Sequence, residues 1–168
     1  YKLRANSTNY IDYYPPKKDT LKVAIYYNSN WYITHKRSNQ YRIAGWIISQ
    51  QKFEGKFTDY NKTIKIAEGN YADGKLNGMY RSYYDSGILK SQGVFIQGEP
   101  TGNWQYYHSN GDPWLSITFT PDDFQVTHCI DQSGYQTLSN GNGYWHYSAS
   151  IVGQFKYKIN GSYSQNKR

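Results

Sequence analysis

The sequence predicts an all-β protein, an elongated and twisted antiparallel sheet of stacked β-hairpins with little helix. The first observation behind this is composition, because 18% of the 168 residues are aromatic, including 20 tyrosines and five tryptophans. Such side chains favour pleated sheet, where they pair across strands. The second is a repeat in which glycines and aromatic residues recur together every 24 residues. The third is that no stretch shows a sustained helical period of about 3.6 residues.

The repeat appears when the chain is aligned with itself at a shift of 24 residues. Four glycines then coincide with glycines, and three aromatic residues coincide with aromatic residues. The coincident pairs are Gly69 and Gly93, Gly74 and Gly98, Gly78 and Gly102, Gly87 and Gly111, Tyr71 and Phe95, Tyr80 and Trp104, and Tyr83 and Tyr107. A weaker copy is predicted upstream from Gly55, Phe57 and Tyr60, and a degenerate copy is predicted at residues 153–163.

Each unit is predicted to form one β-hairpin. Glycines are expected at the hairpin corners, where Gly87 and Gly111 would supply the positive φ that a tight turn requires. One hairpin alone is marginal in water, so the units are expected to stack side by side into a continuous meander. The second strands of the two central units are predicted at residues 88–95 and 112–119, and the joining turns at 72–78 and 96–102.

The chain is expected to divide into four regions around this repeat. Residues 1–19 are predicted to be an irregular N-terminal arm, and residues 20–52 an N-terminal β-hairpin region. Residues 53–119 are predicted to be the repeat meander. Residues 120–168 are predicted to be a C-terminal β extension that contains the degenerate repeat.

Strands are also predicted in both flanks. Residues 21–27 and 31–34 are predicted to pair as a hairpin around Asn28-Ser29-Asn30, and residues 41–49 are predicted to form a further strand. The segment Pro121-Asp122-Asp123 is predicted to break the meander, because proline and aspartate favour turns. Strand character is expected to resume at residues 124–130 and 144–148.

The spacing of these residues resembles a known family of repeats. The pattern Gly69-Asn-Tyr71-x-x-Gly74-x-x-x-Gly78-x-Tyr80-x-x-Tyr83-Tyr84-x-x-Gly87, repeated from Gly93 to Gly111, is similar to the bacterial MORN-type repeat in its MORN_2 variant. The similarity covers residues 53–118, and Asp131-Gln-Ser-Gly134 resembles a segment that follows such repeats in envelope proteins of Bacteroidota. Those relatives are labelled MORN-repeat proteins or YwqK-type antitoxins. The resemblance implies a noncatalytic β-hairpin array located in the periplasm or at the outer membrane.

Positive charge is concentrated at the start of the chain. The formal net charge is +7, and residues 1–50 carry eight basic and two acidic residues, while residues 51–118 are neutral. A sheet that tracked phosphates would spread Lys and Arg along its repeated surface. We therefore expect no nucleic-acid partner. No apolar run approaches the ~18 residues of a membrane-spanning helix, so no transmembrane segment is expected. Because the sequence opens at Tyr1 rather than methionine, we expect an upstream segment, such as a signal peptide, to precede it.

The sequence predicts no catalytic, cofactor or metal site. A single cysteine, Cys129, excludes an internal disulfide, and it is adjacent to His128, so the two would point to opposite faces of a strand. Asp122 and Asp123 are expected to shape a turn rather than to act as a carboxylate pair. We therefore expect a protein that is not an enzyme and that uses no cofactor.

Two aromatic positions of the repeat are expected to stack along the array as its core. One holds Phe57, Tyr80 and Trp104, and the other holds Tyr60, Tyr83 and Tyr107. Because the two positions lie three residues apart, they should occupy opposite faces of the sheet. The candidate contacts for a protein or glycan partner lie outside this repeat rule, and ordinary surface tyrosine is the alternative for them. They are Tyr84, Tyr106 and Trp114.

Three functions fit the sequence. The leading prediction is a noncatalytic protein-interaction or scaffold module of the bacterial cell envelope, which binds another envelope protein through a face or edge of the repeat sheet. The aromatic residues and the basic N-terminal third suggest a glycan-binding module as an alternative. An antitoxin or immunity role is implied by the family resemblance alone.

Overall fold

The computed structural model describes residues 19–139, 142–143, 149–152 and 156–159, which form strands and turns. Three predicted features lie outside the described residues. They are residues 1–18 of the N-terminal arm predicted over 1–19, the strand predicted at 144–148, and the glycines of the degenerate repeat. None of the described residues belongs to a helix long and apolar enough to span a bilayer.

Fourteen strands are found in the described part of the chain, and most are between six and ten residues long. They are β1 (Thr20–Tyr27), β2 (Gln40–Ile47), β3 (Lys52–Asn61), β4 (Ile64–Ala72), β5 (Lys75–Leu76), β6 (Gly78–Tyr83), β7 (Leu89–Ile96), β8 (Glu99–Tyr107), β9 (Pro113–Phe119), β10 (Phe124–Ile130), β11 (Gln136–Ser139), β12 (Asn142–Gly143), β13 (Ala149–Val152) and β14 (Lys156–Ile159).

The strands pair in chain order as one open antiparallel sheet. The order across the sheet is β1-β2-β3-β4-β6-β7-β8-β9-β10-β11-β12, with the short β5 paired to β4 beside this path. Strands β13 and β14 pair with each other in a separate two-stranded sheet. Apart from the short β5, successive strands from β1 to β12 are antiparallel neighbours in this sheet, which confirms the predicted all-β meander of hairpins.

One turn geometry recurs at one end of the sheet. In the β6–β7 turn the N–H of Tyr84 donates to the carbonyl of Ile88 at 2.8 Å, and the N–H of Gly87 donates to the carbonyl of Tyr84 at 2.8 Å. The same two bonds close the β8–β9 turn at Gly111 and the β10–β11 turn at Gly134. All three glycines have a positive φ. This is a type I turn followed by a left-handed residue, which favours glycine. The predicted corner positions of Gly87 and Gly111 are confirmed.

Gly69 and Gly93 have a different role, because they lie inside strands β4 and β7 rather than at corners. The position of Gly93 within a strand agrees with the strand predicted at residues 88–95. A Cβ atom at Gly93 would lie 2.2 Å from Cδ2 of Trp104, and one at Gly69 would lie 2.7 Å from Cε1 of Phe57. The aromatic ring of each neighbouring strand thus rests directly on the glycine backbone. A strand glycine of this kind marks the close approach of another group.

Apart from Ala24, the buried side chains lie on one face of the sheet, which we call the core face. Cross-strand register places Phe57 opposite Gly69 and Tyr80 opposite Gly93. The ring centroids of Phe57 and Tyr80 are 6.4 Å apart, and those of Tyr80 and Trp104 are 5.9 Å apart. This position of the repeat therefore builds the core, as predicted. Other members of the core cluster are Ala44, Tyr71, Leu76, Phe95, Tyr106, Leu115, Ile117, Val126, Cys129 and Leu138.

An ion pair is buried on the core face between β2 and β3. Arg42 and Asp59 are direct cross-strand partners and are only 6% and 4% exposed. Arg42 donates from Nε to Asp59 Oδ1 at 2.7 Å and from Nη2 to Oδ2 at 2.8 Å. Its Nη1 donates to the Tyr71 hydroxyl at 2.6 Å, and its guanidinium carbon lies 4.5 Å from the ring centroid of Phe57. The charged pair is thus enclosed by hydrogen bonds and rings, as a buried pair must be to offset desolvation.

The ionisable groups of this cluster are shifted by burial and by one another. Burial by itself would lower the pKa of Arg42, but the hydrogen bonds and the charge of Asp59 outweigh it, so the pKa lies above its ordinary value. Burial raises the pKa of Tyr27 and that of Tyr80 to about 12. Both phenols therefore stay protonated beside the ion pair at neutral pH.

Two predictions about the flanks are wrong. Residues 31–34 do not form a strand, because β1 pairs with β2 and the turn region contributes only an isolated bridge between Tyr27 and Ile33. The segment Pro121-Asp122-Asp123 does not break the meander. It forms a tight turn in which the N–H of Thr120 donates to the carbonyl of Asp123 at 2.8 Å, and β9 pairs with β10 across it. The proline and the two aspartates therefore form a turn between paired strands and do not end the sheet.

We predict that an alanine at Gly93 destabilises the fold more than an alanine at Gly69. The Cβ atom at Gly93 would overlap the middle of the Trp104 indole, whereas at Gly69 it meets the edge of the Phe57 ring. Overpacking of this kind costs about 1–3 kcal/mol. Urea denaturation of Gly93→Ala, Gly69→Ala and the exposed control Lys56→Ala should give that order of free energies of unfolding. An unchanged midpoint for Gly93→Ala would contradict the ring-on-glycine packing.

We predict strong non-additivity at the buried ion pair. Either Arg42→Met or Asp59→Leu alone leaves an unpaired buried charge, which costs about 3–5 kcal/mol. The double variant replaces both charges by apolar groups, so its loss should be smaller than the sum of the two single losses. A double-mutant cycle measured by urea denaturation tests this. Additive losses would mean that the two side chains do not stabilise each other.

Candidate functional site

The face opposite the core carries a row of tyrosines, and we call it the tyrosine face. Tyr26, Tyr41 and Tyr60 are cross-strand partners on β1, β2 and β3. The rings of Tyr41 and Tyr60 stack with centroids 5.0 Å apart and an interplanar angle of 14°, and Tyr26 lies 5.7 Å from Tyr41. Tyr83 on β6 and Tyr107 on β8 continue the row. All five side chains are half-buried, so part of each ring faces solvent.

The first repeat unit surrounds its tyrosine with charged groups. The Tyr83 hydroxyl donates to Glu68 Oε1 at 2.5 Å, and Lys65 Nζ donates to Glu68 Oε2 at 3.1 Å. Arg81 Nη1 lies 4.0 Å from Glu68 Oε1, and Lys65 Nζ lies 4.6 Å from the centroid of the Tyr83 ring. The O–H of Tyr83 and then Lys65 and Arg81 hold the pKa of Glu68 below its ordinary value. Burial and the nearby carboxylate raise the pKa of Tyr83.

The second repeat unit places neutral amides at the same positions. Glu68, Arg81 and Tyr83 become Gln92, Gln105 and Tyr107 at the shift of 24 residues. Gln92 Nε2 donates to Gln105 Oε1 at 2.9 Å and to the Tyr107 hydroxyl at 3.1 Å. The Tyr107 hydroxyl donates to Gln105 Oε1 at 2.9 Å.

Both units therefore build a triad of one tyrosine and two polar side chains at the same place on the same face. The chemistry of the two triads differs, but their geometry is shared. The amide triad continues towards β9, where Thr118 Oγ1 donates to Asn103 Oδ1 at 2.8 Å. This face consequently offers hydroxyl, amide and phenol groups side by side.

Charge on the tyrosine face is graded along the sheet. By cross-strand register and contact, strands β1 to β6 place six cations and two carboxylates on it. The cations are Lys22, Lys52, Lys56, Lys65, Lys75 and Arg81, and the carboxylates are Glu54 and Glu68. Further along, the face presents the neutral side chains of Gln105, Ser116 and Thr118. One end of this surface is thus cationic and aromatic, and the other is neutral and rich in hydrogen-bonding groups.

The three contact residues predicted from the sequence do not form one exposed row. Tyr106 is only 6% exposed and lies on the core face, with its ring centroid 6.3 Å from that of Trp104 and 6.4 Å from that of Trp114. A role for Tyr106 in surface contact is therefore wrong. Trp114 is half-buried against the core cluster. Tyr84 is also half-buried, and its hydroxyl donates to the carbonyl of Tyr107 at 2.7 Å.

The polar members of the two triads were missed by the sequence analysis. A signal for them exists, because Glu68 and Gln92, and likewise Arg81 and Gln105, coincide at the shift that aligns the glycines. The members of these pairs are polar but differ in charge, so they are neither identical residues nor of one chemical type, as the coincident glycines and aromatic residues are. The predicted core position of Tyr60, Tyr83 and Tyr107 is half-buried instead.

The titratable groups near β10 are separated by the sheet. Cys129 is buried on the core face, where burial raises the pKa of its thiol, while His128 beside it is exposed. Within the residues that the structure describes, no group of three or more His, Cys, Asp or Glu side chains is placed to hold a metal ion.

Comparison of this chain with protein-family models, with curated proteins and with solved structures finds no match. The resemblance to the MORN-type repeat therefore stays a prediction.

We predict that Glu68→Gln preserves the fold and weakens its dependence on acid pH. Glu68 has a lowered pKa in the folded state, so it contributes stability above its ordinary pKa of 4.5, and this contribution is lost as the pH falls. Near neutral pH the free energy of unfolding should change by no more than about 1 kcal/mol, because the pair is partly exposed.

Urea midpoints of wild type and Glu68→Gln between about pH 6 and about pH 3 test this. The decrease should be smaller in the variant, and Tyr83→Phe, which removes the strongest donor to Glu68, should reduce it in part. An identical decrease in wild type and Glu68→Gln would contradict the triad as described.

Proposed function

We propose that this chain is a noncatalytic interaction module that binds a protein partner through the tyrosine face. The observation that carries the proposal is the repeated triad of Tyr83 with Glu68 and Arg81, and of Tyr107 with Gln92 and Gln105, on the face that the core does not use. Tyrosine supplies large contact area at low entropic cost, and amides and hydroxyls supply adaptable hydrogen bonds.

The dimensions of this face suit a protein rather than a small molecule. Six inter-strand spacings of about 4.8 Å separate β1 from β8, which gives a length of about 29 Å. A typical specific interface covers about 800 Å² on each partner, which corresponds to a patch about 30 Å across. The tyrosine face is thus long enough to form one such interface by itself.

The polar groups on this face are held in place before binding. The Tyr107 hydroxyl and Gln92 both donate to Gln105, and the Tyr83 hydroxyl and Lys65 both donate to Glu68. Side chains that are already ordered lose less conformational entropy when a partner binds. This arrangement supports a binding role without requiring a pocket.

A location in the bacterial cell envelope, with another envelope protein as the partner, is part of the proposal and rests on the MORN-type resemblance. Docking of a sugar face on a row formed by Tyr84, Tyr106 and Trp114 is not supported, because Tyr106 is buried in the core. We therefore propose a protein partner and treat glycan binding as an outcome that the experiment can reveal.

Site-specific photo-crosslinking in the native host tests this proposal. A photoreactive residue at the exposed tyrosine-face positions Lys56, Met79 or Gln105 should capture one and the same protein. The same residue at Gln50, which is exposed in the β2–β3 turn, should not capture it. Capture of a polysaccharide, or equal capture from Gln50, would contradict a protein interface on this face.

Binding of the captured protein then tests the tyrosines. We expect Tyr60→Ser and Tyr83→Ser each to weaken its affinity at least about tenfold, since truncated tyrosine hot spots cost about 2 kcal/mol or more. Tyr135→Ser is the matched control, because Tyr135 is exposed in the β10–β11 turn, away from this face. Circular dichroism and urea midpoints establish that each variant is folded. Equal affinity for all three variants would exclude the tyrosine row as the contact surface.

A further inference from the structure

The β1–β2 connection begins with the same turn as the three glycine turns, but with tryptophan in the glycine position. The N–H of Asn28 donates to the carbonyl of Tyr32 at 2.9 Å, and the N–H of Trp31 donates to the carbonyl of Asn28 at 3.0 Å. These bonds match those closed by Gly87, Gly111 and Gly134. Trp31 has a φ of 61°, in the left-handed region that bulky residues rarely adopt. The chain thus accepts backbone strain at a position where the three equivalent turns use glycine.

This strained turn displays apolar side chains to solvent. Trp31, Tyr32 and Ile33 follow one another and are 37%, 69% and 49% exposed. The Trp31 ring lies 5.3 Å from that of Tyr27, so one side of it is supported by β1 while another side is open. Burial of these three residues therefore does not explain their presence, whereas display to a partner does. Strained backbone of this kind is concentrated at functional sites.

The turn is also rigidly held. Asn28 Oδ1 accepts hydrogen bonds from the N–H of Asn30 at 2.9 Å and of Tyr32 at 3.1 Å. The N–H of Thr34 donates to the carbonyl of Tyr26 at 2.9 Å, and Ser38 Oγ donates to the carbonyl of Gln40 at 2.8 Å. A loop fixed at both ends presents its side chains in one arrangement, which lowers the entropic cost of binding.

Charge at this corner of the sheet differs from that at the other turns. Residues 28–39 contain the exposed cations Lys36 and Arg37 and no carboxylate, and Lys62 in the neighbouring β3–β4 turn donates from its N–H to the carbonyl of Asn39 at 2.6 Å. The three glycine turns instead carry acidic residues, namely Asp85, Asp112 and Asp131. The corner around Trp31 is therefore apolar and cationic, and its electrostatic complement is an acidic segment with apolar side chains.

We propose that residues 28–39, the anchor loop, bind an acidic peptide segment of a partner protein. The side chains of Trp31 and Tyr32 contact apolar residues of that segment, and Lys36 attracts its carboxylates. Tryptophan, tyrosine and arginine are the residues that most often dominate binding energy at protein interfaces. This inference rests on the proposed function in that the partner is a protein, but it assigns a second surface, separate from the triads of the tyrosine face.

Peptide display on the full chain tests the anchor loop. A library of random peptides is selected against the immobilised wild-type protein, and selected peptides are synthesised for titration. We expect them to combine Asp or Glu with aromatic or aliphatic residues. A synthetic peptide from this set should bind Trp31→Asn and Lys36→Glu at least about tenfold more weakly, and its affinity should fall with added salt. Asparagine tolerates the left-handed conformation, so Trp31→Asn should keep the urea midpoint of wild type or raise it.

Two controls separate this inference from the proposed function. Tyr135→Ser removes an exposed tyrosine from a glycine turn, and Tyr83→Ser removes one from the tyrosine face. Both should bind the selected peptide as wild type does. If Tyr83→Ser abolishes binding and Trp31→Asn does not, the anchor loop is wrong while the proposed function stands. If crosslinking from the tyrosine face fails but Trp31 is required for peptide binding, the anchor loop stands and binding through the tyrosine face is wrong.

Three further results would overturn the inference. The first is no enrichment of any peptide, and the second is enrichment of peptides without acidic residues. The third is Trp31-dependent binding to vesicles of phosphatidylglycerol with no peptide binding, which would assign the anchor loop to an anionic bilayer surface instead. Tryptophan, tyrosine and basic residues also suit that surface. The rigid turn and its few apolar side chains favour the peptide.

Discussion

The fold depends on aromatic rings that lie directly on glycine backbone of a neighbouring strand. Among the described residues, the main sheet is built from one layer of strands, so its rings gain contact mainly from neighbours on the same face. A ring over a glycine buries more of its surface against the backbone, because no Cβ atom holds it away. Trp104 packs in this way on Gly93, and Phe57 on Gly69. Each such contact joins two neighbouring strands, and the contact of Trp104 with Gly93 joins the β6–β7 hairpin to the β8–β9 hairpin. Stability then accumulates as a sum of neighbouring contacts along the array.

In the repeat, positions on the core face keep their packing role, whereas positions on the tyrosine face change their side-chain chemistry. Phe57, Tyr80 and Trp104 differ in size, yet each is placed to pack over backbone on the core face. On the opposite face the same shift exchanges Glu68 for Gln92 and keeps the tyrosine hydroxyl bonded to a side-chain oxygen. Surface chemistry therefore changes from charged to neutral without any change in the hairpin that carries it. A repeat scaffold suits recognition for this reason, since its exposed positions are free of packing constraints.

Two sites depart from the pattern of an apolar core face and glycine turns. One costs desolvation of charge, and the other costs backbone strain. Arg42 and Asp59 bring a charged pair into the core face, where only complete hydrogen bonding offsets the loss of water. Trp31 stands in a left-handed position that the equivalent turns give to Gly87, Gly111 and Gly134. The first departure is enclosed by the rings of Phe57 and Tyr71, whereas the second is open to solvent. The buried departure therefore belongs to folding, and the exposed one is the site at which we propose binding.

By itself, the sequence determined the all-β class, the glycine turns at Gly87 and Gly111, and the stacking of Tyr80 with Trp104, since these follow from local backbone chemistry and from a regular spacing. It did not determine that an aromatic ring of a neighbouring strand packs on Gly69 and on Gly93. Only the tertiary structure decided that Arg42 meets Asp59 and that the face shared by Tyr106 and Trp104 is the buried one. Register and bulges make those decisions, because a shift of one residue moves a side chain to the opposite face of a strand. A sequence period indicates that strands recur, but the contacts between strands determine which face of the sheet is exposed to water.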